Sequence, residues 1–338
     1  MTLSTESISV IICAYTQDRW DKLTRAVASI HKQTHPAQEI IVVIDHNQKL
    51  LQKAQHELLD VRVIENIEKR GLSGARNSGI AAASGTLIAF LDDDAIAEPD
   101  WLLHMYTALS CSYRSGASPH PTGPDGRACS DGFALGVGSA VVPDWESQEP
   151  EWFPAEFYWV IGCSYRGMPR LSGPIRNPIG ASMCIRREVF QAVGGFRNEI
   201  GRIGTLPVGC EETELCIRAC QHWPDRYFLY IPQIKVSHHI PQKRVTWRYF
   251  RSRCYAEGIS KAVVARFVGT KDSLSSESTY TLRTLPTGVL RNLGFALLKG
   301  RFSYVLRALV IIAGLCITTT GYLVGKYASL SPSENAEE

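Results

Sequence analysis

Three apolar runs, separated by polar segments of helical period, set the pattern of the first hundred residues. Residues 8–13 (Ile-Ser-Val-Ile-Ile-Cys), 39–44 (Glu-Ile-Ile-Val-Val-Ile) and 87–91 (Leu-Ile-Ala-Phe-Leu) are short, continuous and rich in β-branched or aromatic side chains. Such runs read as strands buried on both faces. Between the first two, residues 20–33 carry Leu23, Val27 and Ile30 at helical spacing. Val61–Glu65 predicts a short further strand, and Ser73–Ala83 a helix of small residues preceded by Arg70-Gly71-Leu72. The order strand, helix, strand, strand, helix, strand predicts an α/β fold built on a parallel, doubly wound sheet. Ligands of such sheets bind outside the carboxyl ends of the strands. Asp45, after the second run, and the acids after the third are therefore expected along one edge.

Those acids are Asp92, Asp93 and Asp94, three consecutive carboxylates ending an apolar strand. Like charges at that spacing repel strongly, and a hard divalent cation relieves the repulsion while bridging to substrate phosphates. The segment also suits a helix start, because Asp94-Ala-Ile-Ala-Glu-Pro-Asp-Trp-Leu has N-cap character.

Several ordered segments carry a family resemblance. Ser9-Val10-Ile11-Ile12-Cys13-Ala14-Tyr15, then Gly71-Leu72-Ser73-Gly74-Ala75-Arg76-Asn77-Ser78-Gly79, then Phe90-Leu91-Asp92-Asp93-Asp94, resemble glycosyltransferase family two, inverting enzymes of GT-A fold. Downstream, Asn177-Pro178-Ile179-Gly180-Ala181-Ser182-Met183 with Arg186-Arg187-Glu188-Val189-Phe190 and Val193-Gly194-Gly195-Phe196 looks like the family's acceptor-side strand and helix. Cys210-Glu211-Glu212-Thr213-Glu214-Leu215-Cys216 is similar to its Glu-Asp-Thr-Glu-Leu-Cys block. The resemblance covers residues 7–265. Glu156-Phe157-Tyr158-Trp159 with Gly162-Cys163 is in addition similar to prokaryotic enzymes that extend lipid-linked glycans, including dolichyl-phosphate-linked glucuronosyl transfer.

The resemblance implies a doubly wound mixed sheet flanked by helices, a nucleotide-diphosphate sugar, expected to be UDP-linked, as donor, and Mn²⁺ or Mg²⁺ as cofactor. It makes Asp94 the direct metal ligand, with Asp92 completing an Asp-x-Asp pattern and Asp93 near the ribose. Asp45 falls where the family contacts the base or ribose, Ala14 and Tyr15 beneath the base, and Arg76 facing the donor. A histidine from Ser237-His238-His239 would ligate the metal or touch the diphosphate. His238 is in the better register, since neighbouring strand residues point to opposite faces. Imidazole is a commoner partner for Mn²⁺ than for Mg²⁺. The general base comes from Glu211-Glu212, where the family has glutamate then aspartate. Register favours Glu212, with Glu211 orienting the acceptor or serving instead. Acids at a helix start also complement the helix dipole without any catalytic role. Lys243, Arg244 and Arg248 offer charge to a diphosphate or lipid phosphate. Trp152, Phe153, Phe157, Tyr158 and Trp159 suit a sugar face, a membrane interface or a core equally.

Composition fills in the surroundings. The chain has 338 residues, 45% of them hydrophobic, enough for one large core with an appendage. Ten cysteines with no Cys-x-x-Cys pair read as reduced thiols. The start, Met-Thr-Leu-Ser-Thr-Glu-Ser-Ile, lacks a signal-peptide pattern, so the expected location is the cytoplasmic face of the cell membrane. Net charge is +3, but residues 241–307 hold 13 Lys or Arg against 3 Asp or Glu. That stretch favours an anionic membrane surface over nucleic acid, for which no motif is present. Ala308–Gly325 is uncharged over 18 residues, with Gly321 and Gly325 spaced for close helix packing. Gly288–Gly300 alternates apolar and basic residues and suits a headgroup layer, while a core helix closing the domain remains the other use of this region. The expected division is a donor half at 1–110, an acceptor and catalytic half at 111–265, membrane-associating helices at 266–328 and a disordered tail at 329–338. Residues 112–132, rich in Ser, Gly and Pro, read as a long loop. Two other classes fit parts of the pattern: a non-catalytic membrane-associated scaffold, which the Glu-for-Asp change would suit, and an Asp-dependent phosphotransferase.

Overall fold

β1 (Ile8–Ala14) forms the middle of a parallel half-sheet, with β2 (Glu39–Ile44) on one side and β4 (Leu87–Asp92) on the other; β3 (Arg62–Glu65) adds to β2 at the edge. The crossovers are α1 (Trp20–His31), α2 (Gln48–Glu57) and α3 (Leu72–Ala82). This computed structural model describes residues 6–111, 134–201, 209–275 and 277–327; the expected loop at 112–132 and tail at 329–338 lie outside them.

The sheet then changes direction. After β5 (Ala95–Ala97) and α4 (Trp101–Cys111) come β6 (Ala134–Trp145), β7 (Gly173–Ile175), β8 (Ser182–Arg186), α5 (Arg187–Val193), α6 (Glu211–His222) and β9 (Tyr227–Ile240). β8 runs antiparallel to both β4 and β6, so the parallel reading holds for the first four strands and the whole sheet is mixed, as the resemblance implies. Its order is β3-β2-β1-β4-β8-β6-β9-β5, with β7 on β9.

The first strands lack apolar–polar alternation because each serves two cores. Val10, Ile12, Val42 and Leu91 pack beneath α1, α2 and α4, whereas Ile11, Ile41, Val43 and Phe90 pack beneath α3, α5 and α6. A third core joins the sheet's far end to the C-terminal helices α7 (Trp247–Val268), α10 (Leu285–Lys299) and α11 (Phe302–Tyr327), with the short α8 (Thr270–Ser273) and α9 (Glu277–Thr279) between α7 and α10. Most of the aromatic cluster belongs here. Phe153 and Phe157 are buried against Phe250, with ring centroids 5.5 and 5.3 Å away. The described cysteines are free thiols, most of them buried.

The small residues of α11 face α7, as their spacing predicts. Cβ atoms built on Gly258 or Gly321 would collide with backbone of the opposite helix, at Thr318 and Tyr255 respectively. Gly321→Leu is therefore expected to destabilise the fold by about 1–3 kcal/mol, the usual cost of overpacking. Thr319→Leu, on the exposed face of the same turn, should change little. Equal melting temperatures for the two variants would mean that α11 is not seated on α7.

Candidate active site

Strand register assembles the site. Cys13 of β1 stands opposite Asp92 at the end of β4, and Ala14 opposite Ile44, so Asp45 and the acid triplet share the carboxyl edge of the parallel half. β5 then turns back to pair with β9, placing Ala95 across from His238. That pairing brings His238 Nε2 to 3.0 Å from Asp94 Oδ1, both side chains being buried. Ligand atoms of Asp92, Asp94 and His238 all lie within 4.8 Å of one another. His239 faces the other way, its Nδ1 3.7 Å from Asp144.

Two guanidiniums close on the same acids. Arg19 Nη1 lies 2.8 Å from Asp93 Oδ1 and 3.2 Å from Asp94 Oδ2, and Arg244 Nη2 lies 3.6 Å from Asp94 Oδ2. Burial would raise the Asp94 carboxyl, but His238, Arg244 and Arg19 outweigh it and hold the group well below the usual carboxylate range. Burial pushes Asp93 up to about 7 against the pull of Arg19, with Asp94 adding to the rise. Asp93 Oδ2 is buried and has no hydrogen-bond partner among the described residues.

Arg76 of α3 links the acid triplet to α6. Its Nη1 is 3.0 Å from Glu211 Oε1, its Nη2 3.7 Å from Asp92 Oδ1, and Nη2 donates to the Gly180 carbonyl at 3.2 Å. The guanidinium lies over the Phe90 and Phe196 rings, so its position is fixed from several sides. Cys210, which precedes α6, adopts φ +75°, a left-handed conformation that non-glycine residues take only where surroundings enforce it. This turn aims both Glu211 and Glu212 at the cleft. Glu211 is spent on Arg76, although its Oε2 is buried without a partner among the described residues. For Glu212, burial and the adjacent Glu211 raise the carboxyl to about 8, partly opposed by Arg76.

At the neighbouring strand ends, Asp45 accepts from Asn66 Nδ2 at 2.7 Å and from the Gly71 amide at 3.0 Å. It thereby fixes the loop that starts α3. The backbone carbonyls of Ala14 and Tyr15 accept from the Asp45 amide and from Asn47 Nδ2. The Tyr15 ring lies under Arg19, 5.3 Å from its guanidinium carbon, which makes Tyr15, Arg19 and Asp93 one contiguous row.

From Asp92, Arg76 and His238 a cleft of about 480 Å³ runs past Glu211 and Glu212 to a charged wall. In that wall Glu277 lies 3.0 Å from Arg176 and 2.8 Å from Lys261, and Arg253 lies 3.4 Å from Glu257. Burial alone would raise Glu277, but Lys261 and Arg176 bring it down to about 2. Trp159 and Tyr280 also line the cleft, joined by a 3.0 Å hydrogen bond. Lys243 and Arg248 are exposed, so of the three basic residues after β9 the acids meet Arg244. Sequence reasoning missed Arg19 and the wall formed by Arg176, Glu257, Lys261 and Glu277. For Arg19 a signal existed, since it follows a strand's carboxyl end; the wall had none.

A half-parallel mixed sheet with an acid triplet at its carboxyl edge, and a histidine returned from a distant strand, defines a GT-A-type glycosyltransferase. The description "Glycosyl transferase family 2" matches residues 9–194. The chain is 33% identical over 260 residues to the glucosyl-dolichyl phosphate glucuronosyltransferase of Haloferax volcanii, covering 76% of this chain and 77% of that protein. It is 35% identical over 100 residues to the succinoglycan biosynthesis protein ExoO of Rhizobium meliloti, 29% of this chain and 28% of the other. Among solved structures, a mannosyltransferase from Pyrobaculum calidifontis in complex with GDP-Man and Mn²⁺ superposes with a TM-score of 0.53 at 15% identity, over 94% of this chain and 87% of that one. GalNAc-T7 with UDP, GalNAc and Mn²⁺ superposes at 0.51 and 17% identity, over 76% of this chain but only 48% of that chain. The chain belongs to glycosyltransferase family 2. Membership sets aside the scaffold and phosphotransferase readings.

Proposed function

We propose that the protein transfers a sugar, with inversion, from a UDP-linked donor to a hydroxyl of a lipid-linked or polysaccharide glycan at the cytoplasmic face of the cell membrane. The observation that carries this reading is the meeting of two acidic groups at one cleft: Asp92 and His238 at one side, with Asp94 buried beside them, and Glu211 and Glu212 at the other.

The first group fits a divalent ion. Two carboxylates and an imidazole present ligand atoms within 4.8 Å of one another, a mixed oxygen and nitrogen set that suits Mn²⁺ better than Mg²⁺. Such an ion, when bound, neutralises the charge of a leaving diphosphate. Arg19 and Arg244 add fixed positive charge beside it. Ala14, Tyr15 and Asp45 border the ground where the nucleoside lies, with Asp93 toward the ribose. Arg76, steadied by Glu211, faces the donor sugar. Glu212 takes the proton of the acceptor hydroxyl as its oxygen attacks the anomeric carbon. The bond to the diphosphate breaks on the opposite face, and the configuration inverts. Residues 1–110 thus serve the donor, 111–265 the acceptor and 266–328 the membrane.

The Haloferax relative's name supports a glycan-bearing lipid phosphate as acceptor. So does α11, whose most apolar 18-residue stretch has a mean hydropathy of 1.9 with 28% of it buried. The test is a panel of UDP-glucuronate, UDP-glucose and GDP-mannose added to the full-length protein with Mn²⁺. A donor at a hundred times its dissociation constant should stabilise by about 2.7 kcal/mol. Transfer is then followed to glucosyl polyprenyl phosphate and to a water-soluble glucoside. A UDP sugar that stabilises only with metal, and is transferred to the lipid acceptor, is the expected result. Failure of every donor to bind with Mn²⁺, or unchanged transfer in excess chelator, would overturn the proposal.

A further inference from the structure

We infer that α10 and α11 form an in-plane membrane anchor, lying along the bilayer interface and leaving both ends of the chain on one side. The inference rests on the membrane reading above and decides between spanning and lying flat.

α11 is held along its whole length by the body of the protein, at both ends through charged groups that cannot enter hydrocarbon. Near its start, Arg301 lies 2.6 Å from Glu151, and Arg307 donates to the Glu151 carbonyl at 2.6 Å. Midway, Gly314 is pressed on the Phe157 ring. Beyond it, Gly321 abuts the Tyr255 backbone, and Arg266 donates to the Gly325 carbonyl. The partner helix α7 carries Arg248, Arg251, Arg253, Glu257, Lys261 and Arg266, a charge load that excludes it from the bilayer interior. To span, α11 would have to shed every one of these contacts.

The outward faces suit an interface instead. Buried residues recur at Leu285, Gly288 and Asn292 on α10 and at Ile311, Gly314, Gly321 and Gly325 on α11. The opposite faces expose Leu290, Leu297 and Leu298 on α10 and Phe302, Leu309 and Ile312 on α11, with Leu297 88% and Leu298 83% exposed. Residues 282–327 contain six Lys or Arg and no acid; Arg291, Arg301 and Arg307 meet Glu156, Glu151 and Glu149 of the protein body, and the charge of Arg283, Lys299 and Lys326 complements an anionic lipid surface. The anchor also begins at the cleft: Tyr280 lines it, and Leu282, two residues on, is 74% exposed.

Two measurements test this. The full-length protein is floated with vesicles of phosphatidylglycerol and phosphatidylcholine, beside a Leu297→Glu/Leu298→Glu variant whose substituted side chains are exposed. Binding to anionic vesicles, reduced at least tenfold in the variant, is expected. In sealed membranes, tags at the two ends of the chain should be digested together by added protease or be protected together. Tags on opposite sides, with vesicle binding intact, would overturn the in-plane anchor and leave the membrane reading standing. No binding to either lipid would overturn the membrane reading itself, and binding unaffected by the two glutamates would place the contact elsewhere.

Discussion

Asp94→Ala should lower sugar transfer by at least about a hundredfold, the loss expected when one strong, pre-positioned electrostatic group is removed. Asp94 is where His238, Arg19 and Arg244 converge, and among the described residues it is the one acid that touches all three. Without it, two guanidiniums face the cluster with Asp93 and Asp92 alone to balance them, so affinity for a divalent ion falls along with turnover. Alanine also removes buried hydrogen bonds, so the variant's folding should be checked by circular dichroism. Asp94→Asn serves beside it, because the amide keeps the shape and deletes the charge. Both variants should need a much higher Mn²⁺ concentration to reach half-maximal rate. A folded Asp94→Ala protein with near-wild-type turnover would sink the assignment of Asp94 to the metal.

What the sequence disclosed, and what it withheld, follows from range. The strands Ile8–Ala14, Glu39–Ile44 and Leu87–Asp92 are apolar on both faces, a local property that can be read without knowing their neighbours. The shared edge of Asp45 and Asp92 came from the same reading, since parallel strands linked by helices present their carboxyl ends together. Direction was less visible. Ser182–Arg186 is another short apolar strand, and nothing in Ser-Met-Cys-Ile-Arg states that it runs antiparallel to its neighbours. Ala95–Ala97 resembled a helix start but is a three-residue strand, and its pairing with β9 sets His238 beside Asp94, 144 positions earlier in the chain. The cleft's charged wall is non-local in the same way: Arg176 and Glu277 meet across 101 positions. Lone arginines, lysines and glutamates carry no mark of their partners until the chain is folded.

Glu212→Gln should preserve donor binding and reduce transfer by roughly 10²–10⁴-fold, the usual cost of losing a general base. The structure separates the two glutamates chemically. Glu211 is engaged by Arg76 at 3.0 Å, while burial and that neighbouring charge raise Glu212 to about 8, well above its ordinary 4.5. A base must be deprotonated to work, so the acid limb of kcat/KM should lie near neutral pH or above, not near 4.5. Stability runs the other way. A carboxyl whose folded pKa is raised favours folding below its unfolded pKa and loses that contribution as pH climbs through the folded value. Between about 4.5 and 8 the wild type therefore weakens at this position, each tenfold change in proton affinity being worth about 1.4 kcal/mol. Glu212→Gln, neutral throughout, should melt higher than wild type at pH 8.5, with the gap narrowing at pH 5. Glu212→Asp, the family's usual side-chain length, should keep part of the activity, and Glu211→Gln should be the milder change. An inactive Glu211→Gln beside a nearly normal Glu212→Gln would move the base by one residue. Full activity in both would mean that these acids only start α6 and that the base lies elsewhere.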